Sequence, residues 1–137
     1  MPASAANTFT TPLQPMYEPE EAYQIHVKLP NSGTVAKGTI LGEITASPGN
    51  FKAYASGSSD GSQNPRAILA YDVTVDGSGN HSYAGADQGV TYPSAPAFIS
   101  GYFSCADLTG LDATALTNRT AWALINGTTS AGCLRIG

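Results

Sequence analysis

The chain has 137 residues, enough for one domain with a buried core, and only 12% of them are charged. Ten acidic against six basic side chains give a net charge of −4, which argues against a nucleic-acid-binding protein because phosphate contacts require a basic surface. No stretch approaches the roughly 20 apolar residues of a membrane span, and no secretion signal is visible at the N-terminus. We therefore expect no membrane association and a protein made and used in the cytoplasm.

Residues 1–21 differ in composition from the rest of the chain. They contain four prolines and three glutamates, and only residues 8–11 have the composition of a strand. Prolines at this spacing prevent a helix and favour extended backbone, and the segment has too little apolar surface to order on its own. We predict an arm over residues 1–21 that is mobile until a partner holds it, with Phe9 and Tyr17 as anchors, and a folded domain over residues 22–137.

The domain has a mainly β pattern. Its first strand alternates apolar and polar residues, with Tyr23, Ile25, Val27 and Leu29 on the buried face. Residues 39–45 and 51–54 indicate two strands joined by a turn, and residues 67–75 have the strongest strand pattern. The predicted strands cover residues 23–29, 39–45, 51–54, 67–75, 97–103 and 133–136.

Glycines and one proline join several of these apolar runs to turns. Glycine tolerates bends and close backbone approach, which a small barrel-like sheet needs where it folds back on itself. On this basis five positions receive a structural role: Gly38, Gly42, Gly61, Pro65 and Gly101.

One α-helix is predicted, from Asp112 as N-cap to Asn126, with Gly127 placed to end it. Trp122 lies on the apolar stripe of this helix and is expected in the core, which would close the open side of the sheet. A stacking platform for a sugar or a base is the alternative role of Trp122. Residues 81–96 are rich in glycine, tyrosine and proline, and we expect an irregular excursion there.

The sequence offers little for catalysis or metal binding. His26 and His81 are expected to be exposed polar residues, and no further ligands stand at a metal-binding spacing. Cys105 and Cys133 match no zinc motif and are expected to be small buried side chains, although a disulfide between them stays open. We predict no catalytic residue, no metal and no cofactor.

The order of the short motifs is more informative than any one of them. A glycine-containing run at residues 37–42 is followed by a turn at 60–65 that leads into residues 67–73, then by residues 99–103, a helix, and a closing run at 131–136. This order resembles the head decoration proteins of tailed phages, the lambda protein D-like family. The resemblance covers residues 33–137.

The resemblance implies a capsid cement protein with a small barrel-like, β-tulip-type domain and one short α-helix. Such proteins are late structural components of the virion, assembled in the host cytoplasm. They usually sit as homotrimers on the outer surface of the expanded head, bound to the major capsid protein. The family has no catalytic residues. Its N-terminal arm adds a strand to a sheet of the shell, and the matching arm residues here are Thr8, Phe9, Thr10, Thr11 and Leu13, with Tyr17 following.

Two tyrosines of the excursion, Tyr83 and Tyr92, are candidates for contact with another subunit or with the capsid, or are ordinary surface or core residues. A carbohydrate-binding or adhesive β module on a virion surface would use the same tyrosines as a sugar platform. A third hypothesis is a small hydrolase centred on Asp72 or Asp76.

Overall fold

The computed structural model describes residues 23–84, 89–112, 114–115, 123–128 and 131–136. Within these ranges the chain is mainly β, as predicted, and forms eleven strands with one 3₁₀ turn at Cys105–Asp107. The strands are β1 Gln24–Val27, β2 Gly33–Val35, β3 Ile40–Glu43, β4 Phe51–Ala53, β5 Pro65–Leu69, β6 Val73–Val75, β7 His81–Tyr83, β8 Ala95–Phe98, β9 Gly101–Ser104, β10 Ala123–Thr128 and β11 Ala131–Ile136. None of the described helical segments is long and apolar enough to cross a membrane.

A five-stranded antiparallel sheet, in the order β1-β8-β5-β3-β4, forms the centre of the fold. Its two outer strands touch at one point. The Lys28 N–H donates to the Gly49 carbonyl at 3.0 Å, and the Phe51 N–H donates to the Lys28 carbonyl at 2.7 Å. This single parallel bridge joins the edges of a sheet that is otherwise open.

Two three-stranded antiparallel sheets flank the central one, in the orders β2-β6-β7 and β10-β11-β9. Alternate residues of the central strands face opposite sides. Leu41, Ala67 and Leu69 belong to a core shared with β6, whereas Ile40 and Ile68 belong to a second core with Phe103 of β9. β8 is buried on both faces and is apolar throughout, whereas the outer strands β1 and β4 keep exposed residues such as His26 and Ala53.

The hairpin predicted from residues 39–45 and 51–54 is confirmed as β3 and β4, and the closing strand is confirmed as β11. The predictions of two longer strands are wrong. Residues 67–75 divide between β5 of the central sheet and β6 of a flanking sheet, and residues 97–103 divide between β8 and β9. Most residues in both parts of each run are buried, and only short polar interruptions such as Asp72 and Ser100 stand between the parts, so pattern alone does not show that the chain changes sheet there.

The helix predicted to end at Asn126 is wrong in its last part, because Ala123–Thr128 is strand β10. Thr114 and Ala115 are helical, and Trp122 lies outside the described residues. β10 pairs with β11 through most of its length, with Gly127 opposite Gly132. Strand pairing thus outweighs the local helix pattern at Gly127, which pairs in a hairpin instead of ending a helix.

Two expectations about exposure are also wrong. Tyr23 is 62% exposed although its carbonyl accepts from the Ile99 N–H at 2.9 Å, because it stands before the first residue of β1 at the end of the sheet. His81 is fully buried. His26 is exposed, and Cys105 is buried, as predicted. The backbone of Cys133 pairs with that of Ser104, the residue before Cys105.

Candidate functional site

The residues predicted to bind a capsid through the arm all lie outside the described residues. They are Thr8, Phe9, Thr10, Thr11, Leu13 and Tyr17. The other site residues predicted from sequence, except Trp122, fall within the described part and can be placed.

The motifs at residues 37–42 and 60–65 meet in the structure. Gly42 lies so close to the backbone of Ser62 that a Cβ on Gly42 would stand 2.6 Å from the Ser62 Cα. Gly61 has a φ of +109°, and a Cβ there would collide with the Glu43 carbonyl. Both positions therefore require glycine, and the contact locks the loop before β5 onto β3.

Three more positions with a predicted structural role lie at buried points of the fold. The Gly38 N–H donates to the Leu69 carbonyl at 2.8 Å, and the Gly38 carbonyl accepts from the Thr109 N–H at 2.9 Å. Pro65 is the first residue of β5, opposite Gly42, and Gly101 is the first residue of β9. These contacts join elements far apart in sequence.

Asp60 organises the loop that carries Gly61. Its Oδ1 accepts from both the N–H and the hydroxyl of Ser62, and its Oδ2 lies 2.7 Å from the Lys52 ammonium. The bond to Lys52 and those to Ser62 hold the pKa of the Asp60 carboxyl well below its usual range. Asp60 therefore remains an anion that stabilises the loop and does not serve as a general acid.

His81 joins three segments. Its Nε2 accepts from the Leu29 N–H at 2.9 Å, and its Nδ1 lies 3.0 Å from the Gly79 carbonyl, so the ring is neutral with the proton on Nδ1. Its backbone exchanges two hydrogen bonds with that of Tyr92, at 2.6 and 2.8 Å. Burial lowers the pKa of the imidazole. His81 is therefore a structural residue that ties β1 to the excursion, a role that sequence reasoning missed because a lone histidine carries no periodic signal.

Tyr83 and Tyr92 stand in a row with Tyr71. The ring centroids are 5.2 Å apart between Tyr71 and Tyr83 and 5.8 Å apart between Tyr83 and Tyr92, and both ring pairs are tilted. All three side chains are half-buried. Burial, followed by the neighbouring tyrosines, raises the pKa of the Tyr83 hydroxyl. The row is a neutral aromatic surface of the kind that protein contacts favour.

Asp72 and Asp76, the carboxylates of the hydrolase hypothesis, each hold a separate turn. Asp72 accepts from the Lys37 N–H at 2.8 Å, and Asp76 accepts from the N–H groups of Ser78 and Asn80 at 2.8 and 2.9 Å. These backbone bonds lower the pKa of Asp76, so it is not prepared to donate a proton. Among the described residues, no group of three His, Cys, Asp or Glu side chains could hold a metal ion.

A groove of about 390 Å³ lies between β4 and β2, at the open end of the core. Leu29, Val35 and Phe51 line it, together with Ala53 and Ala55. Leu29 and Phe51 are buried and Ala53 is exposed, so the groove opens from the core to the surface. Sequence reasoning missed this groove because the pairing of the strands decides which edges stay open.

Comparison with known protein families gives a match over more than half of the chain. The family model of the bacteriophage lambda head decoration protein D matches residues 17–90, more than half of the chain. Comparisons with curated proteins and with solved structures gave no match. The matched residues include the two motifs that meet at Gly42 and Gly61 and run through β1 to β7. The chain therefore belongs to the lambda head decoration protein D family, the structural proteins that decorate the phage capsid.

Proposed function

We propose that the protein binds the outer surface of the expanded phage head and stabilises it against the pressure of the packaged DNA. Its membership of the head decoration family carries this proposal. A shell under internal pressure opens at the junctions between capsomers. A protein that spans such a junction raises the free energy of opening without any chemical step, and the hydrogen-bonded turns around Asp72 and Asp76 fit a structural role.

Residues 1–21 are proposed as the capsid-binding arm and residues 22–137 as the decoration domain. Phe9 and Leu13 would lie on one face of an extended arm, where alternate side chains share a side. Thr8, Thr10 and Thr11 favour a strand, so the arm is suited to extend a sheet of the major capsid protein. Pro12 lacks an N–H and limits the length of that pairing.

We further propose that the protein forms a homotrimer on the head, which is assembled in the host cytoplasm. Three tethered arms bind with a combined affinity about 10² to 10⁴ times that of one arm, because each later arm binds at a high effective concentration. The half-buried row of Tyr71, Tyr83 and Tyr92 is the proposed subunit contact. Its rings are neutral and desolvate at lower cost than charged side chains.

The decisive experiment measures binding to expanded heads that lack decoration. Phe9→Ala should weaken co-sedimentation with heads by about fivefold or more, the effect of losing an anchor worth over 1 kcal/mol. Gly57→Ala is a suitable control, because a Cβ at this exposed loop position meets nothing within 4 Å. Equal binding of Phe9→Ala and the wild type would refute the arm mechanism.

Stabilisation needs its own measurement. Heads saturated with the protein should release DNA at a higher temperature than undecorated heads. The protein binds the closed shell, and this binding lowers the free energy of the closed shell relative to the opened one. If decorated and undecorated heads released DNA at the same temperature, the protein would bind without acting as a cement.

The row of Tyr71, Tyr83 and Tyr92 is also the feature on which the carbohydrate-binding hypothesis depends. Aromatic rings at a surface stack against sugars, and three half-buried rings stand together here. This hypothesis requires the purified protein to bind a glycan and Tyr83→Ala to abolish that binding. Failure to bind across a broad glycan array would eliminate it and leave the row to subunit contact.

A further inference from the structure

We propose that His81 is an acid-sensitive clasp, which holds residues 89–92 on the domain and releases them when its ring takes up a proton. The released state keeps the rest of the fold but lacks Tyr92 in the row of tyrosines. This inference goes beyond the decoration function and does not depend on it.

The first observation is how residues 89–94 are held. Tyr92 exchanges two backbone hydrogen bonds with His81, at 2.6 and 2.8 Å. The Ser94 hydroxyl lies 3.2 Å from Nδ1 of His26. Within the described part of the chain, every hydrogen bond of this segment therefore has a histidine at its other end. These are the two histidines of the whole sequence.

The second observation is that little apolar contact supports the same segment. Residues 89–91 are exposed, and Tyr92 is half-buried beside Tyr83, with 5.8 Å between the ring centroids. By contrast, Ala95 at the start of β8 is fully buried. A segment with few buried side chains and few backbone bonds opens at a lower free energy than the core. Residues 89–92 can therefore leave the domain while β8 stays paired.

The third observation is that the two histidine contacts differ in their response to acid. Nε2 of His81 accepts from the Leu29 N–H inside the core, so a proton on that nitrogen abolishes the bond and leaves a buried charge. The short side chain reaches water only if residue 81 moves, which breaks its backbone bonds to Tyr92. His26 is exposed, and the Ser94 hydroxyl can donate or accept, so that contact survives protonation. The release therefore ends before Ser94.

The groups around the ring set the pH range of the release. Burial lowers the pKa of the imidazole, and Lys28 at the end of β1 acts in the same direction. The Gly79 and Tyr92 carbonyls and the Asp76 carboxylate favour the protonated ring but do not outweigh burial. In the released state the ring takes up a proton near its ordinary pKa of 6.5. Below that pH, release is favoured by up to about tenfold per pH unit until the pKa of the closed state is reached.

Amide hydrogen exchange on the free, full-length protein tests the proposal, with each rate divided by the rate of an unstructured chain at the same pH. The protection of the Tyr92 amide should fall about tenfold or more between about pH 7 and pH 5. At the lower pH it should also be about tenfold or more below that of Ala70, whose N–H donates to the Pro96 carbonyl in β8. Low concentrations of urea should leave the Tyr92 rate almost unchanged, because a local opening exposes little surface.

Two variants identify the titrating group. His81→Gln keeps an acceptor for the Leu29 N–H but cannot titrate, so the protection of Tyr92 should be equal at the two pH values. His26→Gln is the matched control and should retain the fall seen in the wild type. The comparison of Tyr92 with Ala70 in the wild type needs no variant, so it tests the proposal even if His81→Gln does not fold.

Each outcome decides the proposal. Unchanged protection of Tyr92 across the pH range would overturn it, as would an equal fall in His81→Gln. Equal protection of Tyr92 and Ala70 in acid, with the same response to urea, would mean that the whole domain opens at once, which overturns a local release. Loss of the effect in His26→Gln would overturn the role of His81. The experiment contains no heads, so failure here leaves the decoration proposal standing, and failure of head binding leaves this result unchanged.

Discussion

Lowering the pH below about 6.5 should destabilise the protein through His81. The buried ring accepts from the Leu29 N–H at Nε2, and protonation of that nitrogen would break the bond and place a charge in the core. In the unfolded chain the imidazole takes up a proton near its ordinary pKa of 6.5, whereas burial lowers the pKa in the folded state. The stabilisation is therefore complete above pH 6.5 and is lost as the pH falls toward the folded-state pKa.

The size of the effect follows from proton linkage. Between the two pKa values the unfolded state holds one more proton than the folded state, so the free energy of unfolding falls by up to about 1.4 kcal/mol per pH unit. Asp60 and Asp76 also have lowered pKa values, but their contribution is lost only as the pH falls below about 4, near their ordinary value of 3.8. The range from about pH 7 to pH 5 isolates His81 from these carboxylates.

Urea unfolding across this pH range provides the assay, with two variants. His81→Gln retains an acceptor for the Leu29 N–H but cannot titrate, so it should remove the slope. His26→Gln should keep it, because His26 is exposed and bonds only to the Ser94 hydroxyl among the described contacts. A wild-type slope that persists in His81→Gln, or that disappears in His26→Gln, would show that another group controls stability here.

Three further substitutions test the packing by chemical denaturation. Gly42→Ala should lower the free energy of unfolding by about 1–3 kcal/mol, because the added Cβ would press on the Ser62 backbone. Gly57→Ala is the control and should be nearly neutral. Equal effects of the two substitutions would contradict the close approach of Gly42 to Ser62. Phe103→Ala should destabilise by about 3–5 kcal/mol because the ring is fully buried, and a loss under 1 kcal/mol would contradict its place in the core. Tyr54→Phe should lower the free energy of unfolding by about 0.5–1.5 kcal/mol, because it removes the 2.9 Å hydrogen bond from the Tyr54 hydroxyl to Asp112. Burial raises the pKa of this hydroxyl to about 12, so a spectroscopic alkaline titration should lose one high-pH transition in the variant.

Local patterns predicted the β3–β4 hairpin but missed the β10–β11 hairpin and the pairings between residues far apart in sequence. The turn between β3 and β4 is encoded by adjacent residues, and the sequence pattern finds it. The division of residues 67–75 is different, because Tyr71 and Asp72 interrupt the run without a glycine or proline. Asp72 bonds there to the Lys37 N–H, a contact 35 positions away that no local pattern can show.

The same limit applies to the site. The close approach of Gly42 to Ser62 was signalled by glycine-containing motifs, but their meeting depends on strand register. The role of His81 depends on Leu29, 52 positions away, and the groove depends on two strand edges that only the sheet order reveals. Contacts between distant residues therefore carry the features that sequence patterns missed.

The use of charge in this structure favours binding by an arm over binding by a charged surface. Five described carboxylates accept hydrogen bonds from the chain's own backbone and thereby hold turns. They are Glu43, Asp60, Asp72, Asp76 and Asp112. Lys52 and Arg66 are paired with two of them. Surface groups already engaged in this way add little electrostatic attraction to a partner. On the proposed mechanism, affinity for the head must then come from apolar side chains and backbone pairing, which the arm can supply.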